Sequence, residues 1–164
     1  GPAGFVKVID EKCLAIPDLN GNNRLDSIRN IIMGGKIGLL FLIPGLGETL
    51  RINGSALVTT DQEILEIFTD KLKVPKAAIV VRIETAFIHC AKSFMRGNVW
   101  QPETWLDKEC RPSAGQMLAD HSGLESDITG DEVEAMLKAG YKHDLKLDRP
   151  KKGRMSANLK RLKR

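Results

Sequence analysis

The sequence predicts a mainly β chain, a small barrel or closed sheet with helices at its periphery. Three stretches lead to that class. Ile37 to Ile43 is apolar throughout, as in a strand covered on both faces. Thr49 to Thr59 alternates, and Ala77 to Phe87 is rich in β-branched residues. Only short helical patterns separate them.

Taken in order, Phe5 to Ile9 alternates as a strand, and Asp10 to Lys12 connects it in a hairpin to a second strand, Cys13 to Ile16. Pro17 to Asn22 is a loop of turn formers. Asn22 or Asn23 is placed to cap a helix from about Arg24 to Ile32, with Leu25, Ile28, Ile31 and Ile32 on one face and Gly34-Gly35 as its stop. After the strand at Ile37, Gly45 and Gly47 flank a turn. From Thr49 on, Leu50, Ile52 and Gly54 share one side of a strand, while Thr49, Arg51 and Asn53 share the other. Asn53-Gly54 carries a two-residue hairpin signal, but its arms are short, so a bulge within one long strand is preferred. Thr60-Asp61 starts a helix to about Thr69, with Ile64, Leu65 and Phe68 inward. A short helix follows His89, residues 107 to 122 are mostly polar, and a last helix runs from about Asp131 to Ala139, stopped by Gly140. The organisation expected is a core over 1–105, a helical segment packing on it over 106–150, and a disordered basic tail over 151–164.

Charge and cysteines narrow the function classes. Seven of the 25 basic residues follow Pro150, which leaves 18 basic against 21 acidic before it, a net of about −3. The basicity belongs to the tail, and such a tail reads as a solvated end. No aromatics interleave with it as a single-strand binder would require, which argues against nucleic acid as the partner. The apolar run at Ile37 is too short to cross a bilayer, and no secretory signal is seen, so a membrane role is not expected. Three cysteines without metal spacing read as reduced thiols of a cytoplasmic protein.

No serine-histidine-aspartate elbow, phosphate-binding loop, zinc set or carboxylate pair is present, so no catalytic side chain or metal site is assigned. His89 reads as a structural histidine before it reads as a ligand, and Cys90 as an inert thiol. Redox chemistry would then come from a bound cofactor. The useful constellation is basic: Arg24 at a helix start, Arg51 on the alternating strand, and Lys92 and Arg96 four apart on one helix face. Such cations neutralise a phosphate, arginine by forking onto two oxygens. The competing reading is ordinary surface charge. Trp100 is placed either to stack on an aromatic ligand or to pack.

Three blocks, IPDLNGNNRLDSIRNI, GLLFLIPGLGETLRINGSA and RIETAFIHCAKSFMRGNVW, resemble in order and spacing the pyridoxamine 5'-phosphate oxidase-like, FMN-binding split-barrel superfamily. Within it the likeness is to the branch of PPOX-class probable FMN-dependent enzymes. The resemblance implies a six-stranded split barrel that forms a homodimer, with FMN in each of two clefts between subunits. It puts Ile16, Pro17, Asn22, Asn23 and Arg24 at flavin and phosphate. The oxidase strand R-Q-V-R-I-E-G stands here as E-T-L-R-I-N-G, so Thr49 replaces a flavin-contacting glutamine, with Leu50 and Arg51 beside it. Lys92, Arg96 and Trp100 belong to the branch's own block and are expected near the cofactor. The family's preceding helix and strands are not matched, which leaves an open strand edge to be expected. The oxidase's C-terminal substrate-binding arginine and histidine pattern is also missing, so pyridoxamine phosphate is not the expected substrate.

The expectation is therefore a cytoplasmic FMN-dependent oxidoreductase acting on an unidentified small molecule. Two rivals stand beside it. One is a split-barrel protein that holds flavin or haem without turnover, with His89 as axial ligand. The other is a cofactor-free remnant acting through its basic tail.

Overall fold

The structure, a computed structural model, describes residues 1–21, 24–122 and 128–149. It divides into two compact units, Gly1–Trp100 with the segment from Asp148, and Gln101–Leu147.

The first unit is built on one antiparallel sheet of five strands: β1 (Lys7–Asp10), β2 (Cys13–Pro17), β3 (Lys36–Phe41), β4 (Thr49–Thr59) and β5 (Ala78–His89). Their order across the sheet is β1-β2-β5-β4-β3. With short helices beside the sheet in this unit, the chain has the mainly β architecture that the sequence predicts. Among the described residues there are five strands rather than six, and β1 and β3 form the two edges.

Strand β4 runs unbroken through Asn53-Gly54, so the dipeptide is no hairpin turn. Opposite it the pairing steps from Asn53↔Thr85 to Gly54↔Ile83, which leaves Glu84 as the extra residue of a bulge. Glycine is required there, because a Cβ on Gly54 would lie 2.0 Å from the Arg82 carbonyl oxygen.

Helix α1 (Asp26–Gly34) starts two residues later than the sequence suggests. Leu25 occupies its cap position without a side-chain cap; Asn22 and Asn23, the expected caps, lie outside the described residues. Only part of the expected apolar face is used. Ile31 is buried, whereas Leu25 is 54% and Ile32 70% exposed. Gly35 ends the helix as expected, in the left-handed region with its N–H on the Ile31 carbonyl. Helix α2 (Gln62–Glu66) is shorter than predicted, capped by the Asp61 carboxylate on the Glu63 N–H. The chain beyond it continues the apolar face to Phe68 and Leu72.

These elements bury two clusters. Ala15, Leu65, Phe68, Leu72 and Ala78 form one, with Phe5 and Ile64 packed against it. Leu14, Ile52 and Val81 form the other, flanked by half-buried Ile16, Leu39 and Phe41. Cross-strand partners share a face. Ala15 and Ala78 therefore lie on one face of the sheet, and Leu14, Val81 and Ile52 on the opposite one.

After β5 come the short α3 (Lys92–Arg96) and then the second unit, with α4 (Ala114–Ser122) and α5 (Gly130–Leu147). The polar stretch 107–122 thus contains a helix the sequence pattern did not reveal, and α5 passes through Gly140 instead of stopping there. Within this unit α4 and α5 pack closely: a Cβ on Gly115 would lie 2.1 Å from the Gly130 carbonyl. Among the described residues, no helix is long and apolar enough to cross a membrane. The predicted tail, 151–164, lies outside them.

Candidate functional site

The residues singled out in the sequence separate into two groups. Ile16 and Pro17 end β2 and pair with Ile79 and Ala78, where β5 begins. Thr49, Leu50 and Arg51 open β4 and pair with His89, Ile88 and Phe87, where β5 ends. Eleven residues of extended strand separate the two ends, roughly 35 Å. One chain does not bring these groups into one site.

At the first end Pro17 is buried and Ile16 half-buried. Arg24, just before α1, folds onto its neighbour, with Nε and Nη2 3.0 and 2.7 Å from one oxygen of Asp26. Both partners are largely exposed, so the pair is worth little as stability. Asn22 and Asn23 lie outside the described residues.

The far end gathers the rest. Strand alternation puts Thr49 and Arg51 on one face and Leu50 on the other. Thr49 is buried, Arg51 exposed, and Leu50 37% exposed. From His89 the chain turns into α3, whose Lys92 and Arg96 are exposed and four residues apart. Among the described residues, no ion pair engages Arg51, Lys92 or Arg96. Asn98, at φ 46°, turns the chain back, and Trp100 returns to the turn before β4. Its indole N–H donates to the Leu46 carbonyl at 2.7 Å. Its ring stacks on Phe94, with centroids 5.7 Å apart and planes 25° from parallel. Trp100 thus has an aromatic partner within the chain.

Around this cationic corner lies apolar surface that the alternation pattern did not reveal as exposed. Phe87 is 47%, Ile88 74%, Leu40 53%, Leu42 50% and Ile43 55% exposed. Phe87 faces the same way as Arg51 and Leu40, its cross-strand neighbours. Strand β5 also loses its second neighbour here. Pairing with β2 stops at Arg82, so beyond Ile83 only β4 accompanies it. No sequence signal separates this half of β5 from the buried half, since both read as strand.

Midway along the sheet the bulge turns Glu84 toward Lys36, 2.6 Å away at the start of β3. Hydrogen bonding to that ammonium is the main reason the Glu84 carboxyl sits below its ordinary range, with Ser55 and Arg82 helping. An open groove beside the pair is floored by Gly38 and Gly54, with Asn53 on its wall. Cys13 has its thiol pushed up, by burial first and by nearby Asp10 second, so it is no thiolate. Among the described residues, no three histidine, cysteine, aspartate or glutamate side chains gather as metal ligands would. The corner at the end of β5 can therefore attract an anion and cover an apolar body, and Cys90, which the sequence reads as a buried inert thiol, is an exposed free thiol there.

No family model matches the chain, and no curated protein does. Among solved structures the chain is similar to HupZ of Group A Streptococcus, in a form with V5 and hexahistidine tags. The identity is 24% over 54% of this chain and 71% of that one, with a TM-score of 0.44. It is similar also to a histidine-to-alanine variant of HupZ, at 22% identity over 54% of this chain and 76% of that one, again with a TM-score of 0.44.

Proposed function

We propose that the protein is a cytoplasmic flavoprotein in which two copies hold FMN between them and move electrons between the flavin and a small molecule. One observation carries the reading: exposed Arg51, Lys92 and Arg96 sit beside exposed Phe87, Ile88 and Leu40 at the end of a half-unpaired strand. Cations set in apolar surface are what a planar ring with a phosphate tail requires.

The separation of the two residue groups gives the site its form. Ile16, Pro17 and Arg24 of one copy would meet Thr49, Leu50, Arg51, Lys92 and Arg96 of the other. In that arrangement Arg24 leaves Asp26 for the phosphate, and Lys92 and Arg96 add charge from the opposite side. Arg51 lies along the ring edge, and Phe87 and Leu40, on the same face of the sheet, exclude water from it. When bound, the flavin supplies the redox chemistry, its ring accepting a hydride. The chain's own residues bind, orient and neutralise.

The test is the purified protein itself. A flavin spectrum, bound FMN by mass, and a dimer by light scattering are the expected results. A colourless monomer that ignores added FMN would sink the reading.

A second reading rests on His89, which is exposed and stands on the Arg51 face at the strand end. In it the same apolar corner holds haem through an axial imidazole, without turnover. A Soret band on haem addition that His89→Ala abolishes would favour it over FMN.

A further inference from the structure

We infer that Trp100 is a positioning residue, a latch that holds α3 against the turn before β4 and thereby aims Lys92 and Arg96 at the ligand's anionic group. The inference rests on the FMN reading for the identity of that group and on the geometry for the latch.

The segment after β5 is a closed loop. Helix α3 has five residues, too few to hold its direction by its own hydrogen bonds. What fixes it is its return. The Val99 N–H bonds the Phe94 carbonyl, and Asn98 adopts a positive φ that brings Trp100 back over Phe94. The indole then donates across to Leu46, a residue 54 positions earlier, on the connection between β3 and β4. A second contact closes the same seam. Gly47 lies so close to α3's entry that a Cβ on it would meet the Ala91 methyl at 2.6 Å. Two independent contacts thus bind one surface turn to one short helix, although neither buries a large core residue. The turn leads straight into Thr49 and Arg51, and the helix carries Lys92 and Arg96. The latch therefore sets the spacing between cations on two separate elements.

One face of the Trp100 ring lies on Phe94 and its N–H is bonded to Leu46. Its contribution to binding passes through the charges it places. A shift of an ångström or so in α3 would weaken a charged hydrogen bond to phosphate without altering apolar contacts with the ring.

The experiment compares wild-type protein with Trp100→Phe, which keeps a ring for Phe94 and removes the N–H, and with Gly47→Ala, which wedges the seam from the other side. Two readouts are taken: the affinities for FMN and for riboflavin, which lacks the phosphate, and amide exchange without ligand. Loss of one neutral hydrogen bond corresponds to roughly a 2- to 10-fold change. Both variants should lose FMN affinity by about that factor, keep riboflavin affinity, and exchange faster at residues 44–48 and 92–99. Faster exchange with an unchanged FMN-to-riboflavin ratio would make the latch merely structural and overturn the inference. Unchanged exchange in both variants would overturn the latch itself. If wild-type protein binds neither flavin, the FMN reading fails and the inference loses its role in binding, while exchange alone still decides whether the seam exists. Should Trp100→Phe not fold, Gly47→Ala carries both readouts.

Discussion

The two halves of β5 both carry large apolar side chains, yet one half is packed and the other bare. From Ala78 to Ile83 every residue but Arg82 is buried or half-buried; from Glu84 to His89 every residue is exposed. The first half lies between β2 and β4, with Phe68 and Leu65 from the α2 segment closing over Ala78. The second half has β4 alone. The division falls at the bulge, where Glu84 breaks the pairing and turns the strand. Full burial of one phenylalanine or isoleucine is worth about 1.5–3 kcal/mol. Leaving Phe87 and Ile88 in water therefore forgoes stabilisation that the packed half collects. Surface of this kind is retained where something else covers it.

The largest expected effect tests whether the two halves carry different duties. Phe68, fully buried, fills the centre of the packed half. Phe68→Ala should cost about 3–5 kcal/mol in denaturant unfolding, because a cavity adds to the lost transfer energy. Ile88→Asp, at a position 74% exposed, should change stability by no more than about 0.5 kcal/mol. On the proposal of a dimer, it should nevertheless turn that dimer into a monomer on a sizing column. If Ile88→Asp proved as destabilising as Phe68→Ala, the exposed half would be part of the chain's own core.

Much of the packed half was legible in the sequence. Its local rules are strong ones: the β-branched run Ile79, Val80 and Val81, Gly35 in a left-handed stop, and Asp61 as a cap. The exposed half was not legible, because whether an apolar strand is covered depends on neighbours distant in sequence, and Phe87 reads like Val81. The placement of the expected site residues was not legible, for the same reason. Motif order brought Ile16 and Thr49 together on paper, whereas the sheet puts them at opposite ends of β5. The second unit shows signals that were present and outweighed. Thr129 and Glu132 form a reciprocal capping box, with the Thr129 N–H 2.7 Å from the Glu132 carboxylate and the Glu132 N–H 3.3 Å from the Thr129 hydroxyl. The cap and the close packing against α4 carry α5 through Gly140, whose cost of about 1 kcal/mol against alanine does not stop a helix so anchored. Ser113, bonded to the Gln116 N–H, marks the start of α4 in the same way.

A middle-sized effect tests the boundary between the halves. Gly54→Ala places a methyl into the Arg82 carbonyl, where only backbone movement can relieve it. A cost of about 1–3 kcal/mol is expected, as for other overpacked sites. Amide exchange should rise around Gly54 and Ile83 while the pairs from Ala56↔Val81 to Thr59↔Ala78 stay protected. A variant as stable as wild type, with exchange unchanged, would show that the bulge does not depend on this glycine.

The smallest effect concerns the pair that marks the bulge. Lys36 holds the Glu84 carboxyl below its ordinary range. A carboxyl lowered on folding contributes stability above its unfolded pKa and loses that contribution as pH falls through the folded value. Wild-type protein should therefore lose stability on acidification more steeply than Glu84→Gln, its advantage complete above the ordinary carboxylate range, shrinking below it, and gone where Glu84 is protonated in both states. Both side chains are substantially exposed, so salt should shrink the gap further. Parallel acid limbs for the two proteins would mean that the ion pair only decorates the bulge. A wild-type advantage that disappears on acidification would tie the charge of Glu84 to the point where the packed half of β5 gives way to the exposed one.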